Sequence, residues 1–176
     1  SRVGAAAVNV VEAEESTRTI PAIPAERIAL ILLTSGSTGQ PVPTAKTWGS
    51  LAFSARSEAL ALGLGGTRTL AILGTVPAQH SYGLESTVLL ALHNGFAMHC
   101  GRPLFPADVC AALASLPRPR LLVTTPVHLR ALCAMQDAVP AADLLLSATA
   151  ALSPELAAQA ETAFGAPLME IYGCSE

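Results

Sequence analysis

The feature that most restricts the fold is a repeated switch of hydrophobic period along the chain. Short apolar runs of strand length alternate with stretches whose apolar residues recur at helical spacing, and Gly or Pro punctuates most of the junctions. Ile28-Ala29-Leu30-Ile31-Leu32-Leu33 is apolar on both faces, the pattern of a strand covered on both sides. From Thr47 to Leu64, Leu51, Ala55, Ala59 and Leu62 mark a helix that Gly63, Gly65 and Gly66 end. Strands follow at Thr69–Leu73, Phe96–Cys100, Leu121–Thr124, Leu144–Leu146 and Pro167–Ile171. Between them lie helices at Leu84–Leu92, Pro106–Leu116, Val127–Met135 and Ser153–Phe164, the last with Ser153 as N-cap and Pro154 in first position. About six such alternations predict an α/β fold, a mostly parallel sheet covered by helices. Residues 1–27, polar and alanine-rich and ending in Ile20-Pro21-Ala22-Ile23-Pro24, read as an irregular lead-in, because two prolines resist both helix and ladder.

A length of 176 residues suits one domain, and 51% hydrophobic content supplies enough apolar surface to exclude disorder. Ten basic against 13 acidic residues leave a net charge of −3, with no basic footprint for a nucleic acid. No apolar run approaches the ~20 residues that span a bilayer, and no charged region precedes an apolar core as in a signal peptide. Cys100, Cys110, Cys133 and Cys174 form no C-x-x-C pair, so they read as reduced, mostly buried thiols of a cytoplasmic protein. His93, His99 and His128 are too scattered to propose as metal ligands, and Trp48 reads as packing at a helix start. A start at Ser1 and a finish inside a patterned segment predict a fragment of a longer protein.

The strongest local signal is Thr34-Ser35-Gly36-Ser37-Thr38-Gly39-Gln40-Pro41. Hydroxyls and glycines directly after a strand make a loop whose N–H and O–H groups can surround phosphate oxygens. It lacks the Lys-Ser/Thr pair of a Walker A loop. A second signal is Ile171-Tyr172-Gly173-Cys174-Ser175-Glu176, which combines an aromatic plane, a hydroxyl and a carboxylate.

Together these segments resemble the adenylate-forming superfamily of acyl-CoA and aryl-CoA synthetases, peptide-synthetase adenylation domains and luciferases. Thr34–Gly39 and Pro41 match its T-S-G-S-T-G-x-P-K; Val42 stands where the lysine is usual, and Lys46 is taken as its replacement. Residues 172–176 match Y-G-x-T-E with Ser175 in place of threonine. Ser147-Ala148-Thr149-Ala150-Ala151-Leu152-Ser153 is similar to S-G-G-A-P-L-S, with Ala148 and Thr149 where the family has glycines. Pro77-Ala78-Gln79-His80-Ser81-Tyr82-Gly83 is similar to P-x-x-H-x-x-G.

The resemblance implies an ATP-dependent activation of a carboxylic acid. The carboxylate attacks the α-phosphorus, pyrophosphate leaves, and the acyl-adenylate passes its acyl group to a thiol of CoA or of carrier-protein phosphopantetheine. It also implies the roles of the residues. Thr34, Ser35, Gly36, Ser37, Thr38, Gly39 and Lys46 would hold the β- and γ-phosphates, and Ala148, Thr149 and Ala150 would line the nucleotide and acyl pockets. Tyr172 and Gly173 would receive the adenine, Ser175 the α-phosphate and Glu176 Mg²⁺, while His80 would gate the acyl pocket. On this reading residues 28–176 are part of the AMP-binding domain, ending before the C-terminal domain, and are silent by themselves. Two other readings of the residues stay open: a non-catalytic nucleotide- or phosphate-binding α/β module, and an assembly domain with an apolar docking surface.

Overall fold

Along the central strands the buried side chains alternate between two faces, and both faces are covered. A computed structural model of the chain describes residues 21–35, 41–67 and 69–173, and only the backbone at 34, 35, 41 and 42. The first elements are β1 (Ile28–Ser35), β2 (Pro41–Thr47) and α1 (Trp48–Ala61). Then come β3 (Ala71–Gly74), α2 (Ser81–Gly83), a π-helical stretch Leu84–Leu89, α3 (Leu90–Asn94) and β4 (Ala97–Met98). The chain goes on through α4 (Pro106–Ser115), β5 (Arg120–Thr124), α5 (Pro126–Cys133), β6 (Leu144–Ser147), α6 (Pro154–Phe164) and β7 (Leu168–Glu170).

Five strands form one sheet in the order β4-β3-β5-β6-β7, every pair parallel. Ile72, Leu121, Val123, Leu144 and Leu146 pack with Ala59, Leu62, Tyr82, Leu90 and Ala91 on the face under α1 and α3. Leu73, Leu122 and Leu145 point the other way, onto Val109, Leu113, Leu129, Leu132, Leu156 and Phe164 from α4, α5 and α6. This period-two division accounts for the apolar runs, since a strand buried on both faces has no polar side. From β3 the chain runs first to β4 on one side and later, through α4, to β5 on the other. The carboxyl ends of β3 and β5 therefore flank a topological switch point, where open α/β sheets bind ligands.

The cap expected at Ser153 is present: its Oγ accepts the Leu156 N–H at 3.2 Å, with Pro154 next. Thr47 caps α1 in the same way, accepting the Ser50 N–H at 3.2 Å. The Trp48 ring packs on His93 at 5.0 Å between centroids.

Three expectations need correction. The apolar run at Ile28 is a strand, but it pairs antiparallel with β2 outside the main sheet, and Ile28, Ile31 and Leu33 are 58–71% exposed. Leu30 alone of the described side chains on that strand joins a buried cluster, with Leu51, Ala55 and Leu89. Two prolines hid β2: Pro41 and Pro43 cannot donate to a ladder and read as loop, yet an edge strand tolerates them. The helix expected from Leu84 starts at Ser81 and carries the π-helical stretch, while the strand expected at Phe96–Cys100 is reduced to Ala97–Met98. Among the cysteines, Cys100 is exposed and Cys110 and Cys133 are half-buried, all three free; Cys174 lies outside the described residues. No helix of the described residues is long and apolar enough to cross a membrane.

Candidate functional site

Two adjoining clefts open at the carboxyl edge of the sheet, and both are bounded by the loops after β6 and β7. The first, about 350 Å³, lies between Ser54 and Glu58 of α1, the turn His80-Ser81-Tyr82, Glu85 and Ser86 of the π-helical stretch, and Ala148, Thr149, Ile171 and Gly173. The second, about 320 Å³, is lined by Thr149–Leu152 and Glu170–Gly173. Thr149, Ile171 and Gly173 belong to both.

Tyr82 fixes one wall of the first cleft to the sheet. Its ring is 9% exposed, and its hydroxyl lies 2.9 Å from the carbonyl of Leu146 and 3.1 Å from that of Thr124. Burial, and secondarily the charge of Glu58, holds this phenol protonated far above the usual tyrosine range, against the bond to Thr124. The turn before it is tight: a Cβ on Gly83 would stand 2.3 Å from the Pro77 carbonyl oxygen, so only glycine fits there. Thr87 donates to the Gly83 carbonyl within the π-helical stretch, a form of helix common at functional sites.

The loop after β6 has an unusual backbone. Thr149 adopts φ +80°, a left-handed conformation rare for a β-branched residue. Its position corresponds to a glycine of the similar family segment, so the loop takes a conformation that suits glycine without having one. Ala148 is 5% exposed beneath it, and Ala150 follows in the second cleft. Tyr172 is fully exposed along that cleft, and Gly173 has open space where a side chain would stand.

The structure thus brings together His80, Ala148, Thr149, Ala150, Tyr172 and Gly173 around the two clefts. Lys46 stands on β2 opposite Leu30 of β1 and lines neither cleft. The backbones of Thr34 and Ser35 end β1, paired with Val42 and Pro41. Gly36, Ser37, Thr38, Gly39, Ser175 and Glu176 lie outside the described residues. Among the described residues no three His, Cys, Asp or Glu side chains come together as a metal nest.

Other polar groups at this edge escaped the sequence reading. Glu58 and Glu85 face the first cleft from a helix and a π-helical stretch. Burial raises the Glu58 carboxyl above its ordinary range; a hydrogen bond with Ser86 opposes the shift and Glu85 adds to it. On the opposite face of the sheet, Thr124 is in register with Ser147, and Ser147 with Glu170. The Thr75 hydroxyl is 3.0 Å from that of Thr124 and 2.8 Å from Nδ1 of His128, whose pKa burial lowers. The one signal available for this row was the hydroxyl residues ending three apolar runs.

Residues 3–176 match the family model described as AMP-binding enzyme. The chain is 34% identical over 151 residues to a 4-coumarate–CoA ligase of Rhodobacter capsulatus, covering 86% of this chain and 38% of that protein. It is 29% identical over 154 residues to a salicylyl-CoA synthase / salicylate adenylyltransferase of a Streptomyces species, covering 85% and 28%. Among solved structures, the O-succinylbenzoate coenzyme A synthetase of Bacillus subtilis in complex with AMP superposes with a TM-score of 0.72 at 24% identity, over 87% of this chain and 31% of that one. The chain therefore spans about a third of the length of its curated relatives, and it belongs to the AMP-binding enzyme family, the adenylate-forming ligases.

Proposed function

We propose that the protein carrying this segment activates a small carboxylic acid with ATP, forming an acyl-adenylate, and then transfers the acyl group to the thiol of CoA. The observation that carries the reading is the pair of adjoining clefts sharing Thr149, Ile171 and Gly173. A nucleotide in the second and an acid in the first would meet at that shared wall, and the reaction needs the carboxylate beside the α-phosphorus. Naming of the two curated relatives as a CoA ligase and a CoA synthase supports the acceptor. A carrier-protein phosphopantetheine offers the same thiol chemistry.

The fit of the second cleft to a purine rests on the exposed Tyr172 ring and the open space beside Gly173, which leave room for a planar group against the backbone. His80 would close the far end of the acid cleft. Ser175 would donate to the α-phosphate, and Thr34 to Gly39 with Lys46 would hold the departing pyrophosphate. Catalysis on this reading is positioning and charge neutralisation, with no proton taken from the acid, which is already ionised at neutral pH. Mg²⁺, when bound, would neutralise phosphate charge, and Glu176 is the carboxylate that the motif offers it. Residues 1–176 by themselves are expected to be nearly silent.

The test is acid-dependent ATP–pyrophosphate exchange by the complete polypeptide. Lys46→Ala is expected to lower exchange at least tenfold, about 1.4 kcal/mol of transition-state stabilisation, while AMP binding changes little. Exchange unaltered by the substitution would overturn the role of Lys46. A complete polypeptide that binds AMP but gives no exchange with any acid would favour a nucleotide-binding module.

A further inference from the structure

The turn that bounds the first cleft is fastened to the sheet at both ends, and one fastening lies on the face away from the cleft. Between β3 and α2 the chain is compact. The His80 N–H donates to the Pro77 carbonyl at 3.0 Å, and Gly83 sits so close to the carbonyls of Val76 and Pro77 that a Cβ would clash with both. The fastened ends of so tight a unit set where His80 stands. At the far end the Tyr82 hydroxyl lies 2.9 Å from the Leu146 carbonyl and 3.1 Å from that of Thr124. At the near end Thr75, the residue after β3, donates its N–H to the Val123 carbonyl at 2.9 Å, and its Oγ1 lies 3.0 Å from Oγ1 of Thr124. Thr124 therefore holds both ends, one by its carbonyl and the other by its side chain. That side chain begins a row of contacts leading to α5. Thr125 caps the helix, and Nδ1 of His128 lies 2.8 Å from Thr75 Oγ1 and 3.4 Å from Thr125 Oγ1.

Thr124 is fully buried and Thr75 nearly so, on a face otherwise built of Leu73, Leu122, Leu129 and Leu145. Buried hydroxyls are costly unless they are bonded, and valine, which has the same shape, would avoid that requirement. Hydrogen bonds are directional where apolar packing is not, so the Thr124–Thr75–His128 chain holds Thr75 in one orientation. The hydrogens suffice in either direction. Thr124 can donate to Thr75 and Thr75 to the Nδ1 lone pair, or Nδ1–H can donate to Thr75 and Thr75 to Thr124. We infer that His128 is a positioning residue for the acid: through Thr75, and against Thr124, it holds the turn from Thr75 to Tyr82, and His80 with it, where the first cleft needs them. The inference rests on the adenylation reading and adds to it a side chain that lines neither cleft.

The experiment is ATP–pyrophosphate exchange by the complete polypeptide with a panel of one-ring and short-chain acids, benzoate and hexanoate among them, KM being measured separately for acid and for ATP. His128→Leu and Thr75→Val each remove the bond between these two side chains. Each is expected to raise the acid KM about fivefold or more while the ATP KM stays within about twofold, because His80, Ser81 and Tyr82 line the first cleft and not the second. His128→Asn sets an amide, with a donor and an acceptor, near the place of Nδ1, and Thr75→Ser keeps the hydroxyl, so both are expected to hold the acid KM within about twofold of wild type. The pair His128→Leu with Thr75→Val should cost no more than the worse single change, since both cut the same bond. A residue that merely supports the fold would lower the unfolding midpoint without separating the two KM values. An acid KM unmoved in His128→Leu and Thr75→Val, a rise shared equally by acid and ATP, or His128→Asn as damaging as His128→Leu would overturn the inference while the adenylation reading stood. No exchange with any acid would overturn both. Should His128→Leu fail to fold, Thr75→Val against Thr75→Ser decides the matter.

Discussion

Replacing Tyr82 by Phe removes one oxygen and leaves the ring that packs among Ile72, Leu90, Val123 and Leu146. The lost hydroxyl serves two carbonyls, Leu146 at 2.9 Å and Thr124 at 3.1 Å. One hydrogen shared between two acceptors is worth about 1 kcal/mol net, and leaving buried acceptors short of a donor raises the cost, so Tyr82→Phe should destabilise by about 1–2 kcal/mol at pH 7. Alkaline pH supplies a second reading of the same group. Burial raises the Tyr82 pKa in the folded state above its unfolded value. The stabilisation this represents is complete below the unfolded pKa, near 10, and is lost as pH rises past it, because the unfolded chain then gives up a proton that the folded one keeps. At pH 11 the loss for one such phenol is about 1.4 kcal/mol, and Tyr82→Phe does not suffer it. Urea unfolding of both proteins at pH 7, 9, 10 and 11 should show the gap between them closing to within about 0.5 kcal/mol at pH 11. Other titrating groups act on both proteins alike and cancel in the difference. A gap that stays constant from pH 7 to 11, or no gap at pH 7, would refute the picture of a buried phenol tying the cleft wall to the sheet.

Two further substitutions probe the loops around the clefts. Gly83→Ala puts a Cβ 2.3 Å from the Pro77 carbonyl oxygen and 2.8 Å from that of Val76, both backbone, and should cost about 2–3 kcal/mol in urea unfolding; an unchanged midpoint would mean that the turn before α2 is looser than described. Thr149→Gly should act in the opposite direction: releasing a left-handed L-residue is worth ~1–2 kcal/mol and the extra freedom of unfolded glycine takes back ~0.5–1, leaving a net gain of roughly 0.5–1 kcal/mol, and a loss of stability would count against the φ of +80°.

The central sheet was legible because β3, β5 and β6 are buried on both sides, so that each writes an uninterrupted apolar run into the sequence. The same signature misled at β1. Six apolar residues in a row describe a doubly covered strand, but Ile31 and Leu33 are exposed on a two-stranded hairpin, and the proline-bearing partner strand gave no sign of itself. Apolar periodicity reports how much surface a segment can bury. It does not report which other segment covers it. Short motifs were legible in a different way: His80, Ala150, Tyr172 and Gly173 could be paired with family positions one by one, and they meet at two clefts although 92 residues of sequence separate His80 from Tyr172.

The polar residues on the helical wall of the first cleft were the least legible, and the reason is physical. A Ser and a Glu one turn apart on an amphipathic helix ordinarily mark its solvated face, so Ser54 and Glu58 carried no signal in the sequence. Their meaning depends on the π-helical stretch that brings Glu85 and Ser86 across from α1, and that stretch packs closely because Gly74 has no Cβ: one placed there would stand 2.5 Å from the Thr87 methyl. The glycine that ends β3 thus bears on which groups face one another in the first cleft, without lining it. The motif residues that line the two clefts lie on loops at the carboxyl edge, which sequence comparison reads well. Groups carried on helix faces meet only where packing brings those faces together, and there the side chain opposite matters as much as the side chain named.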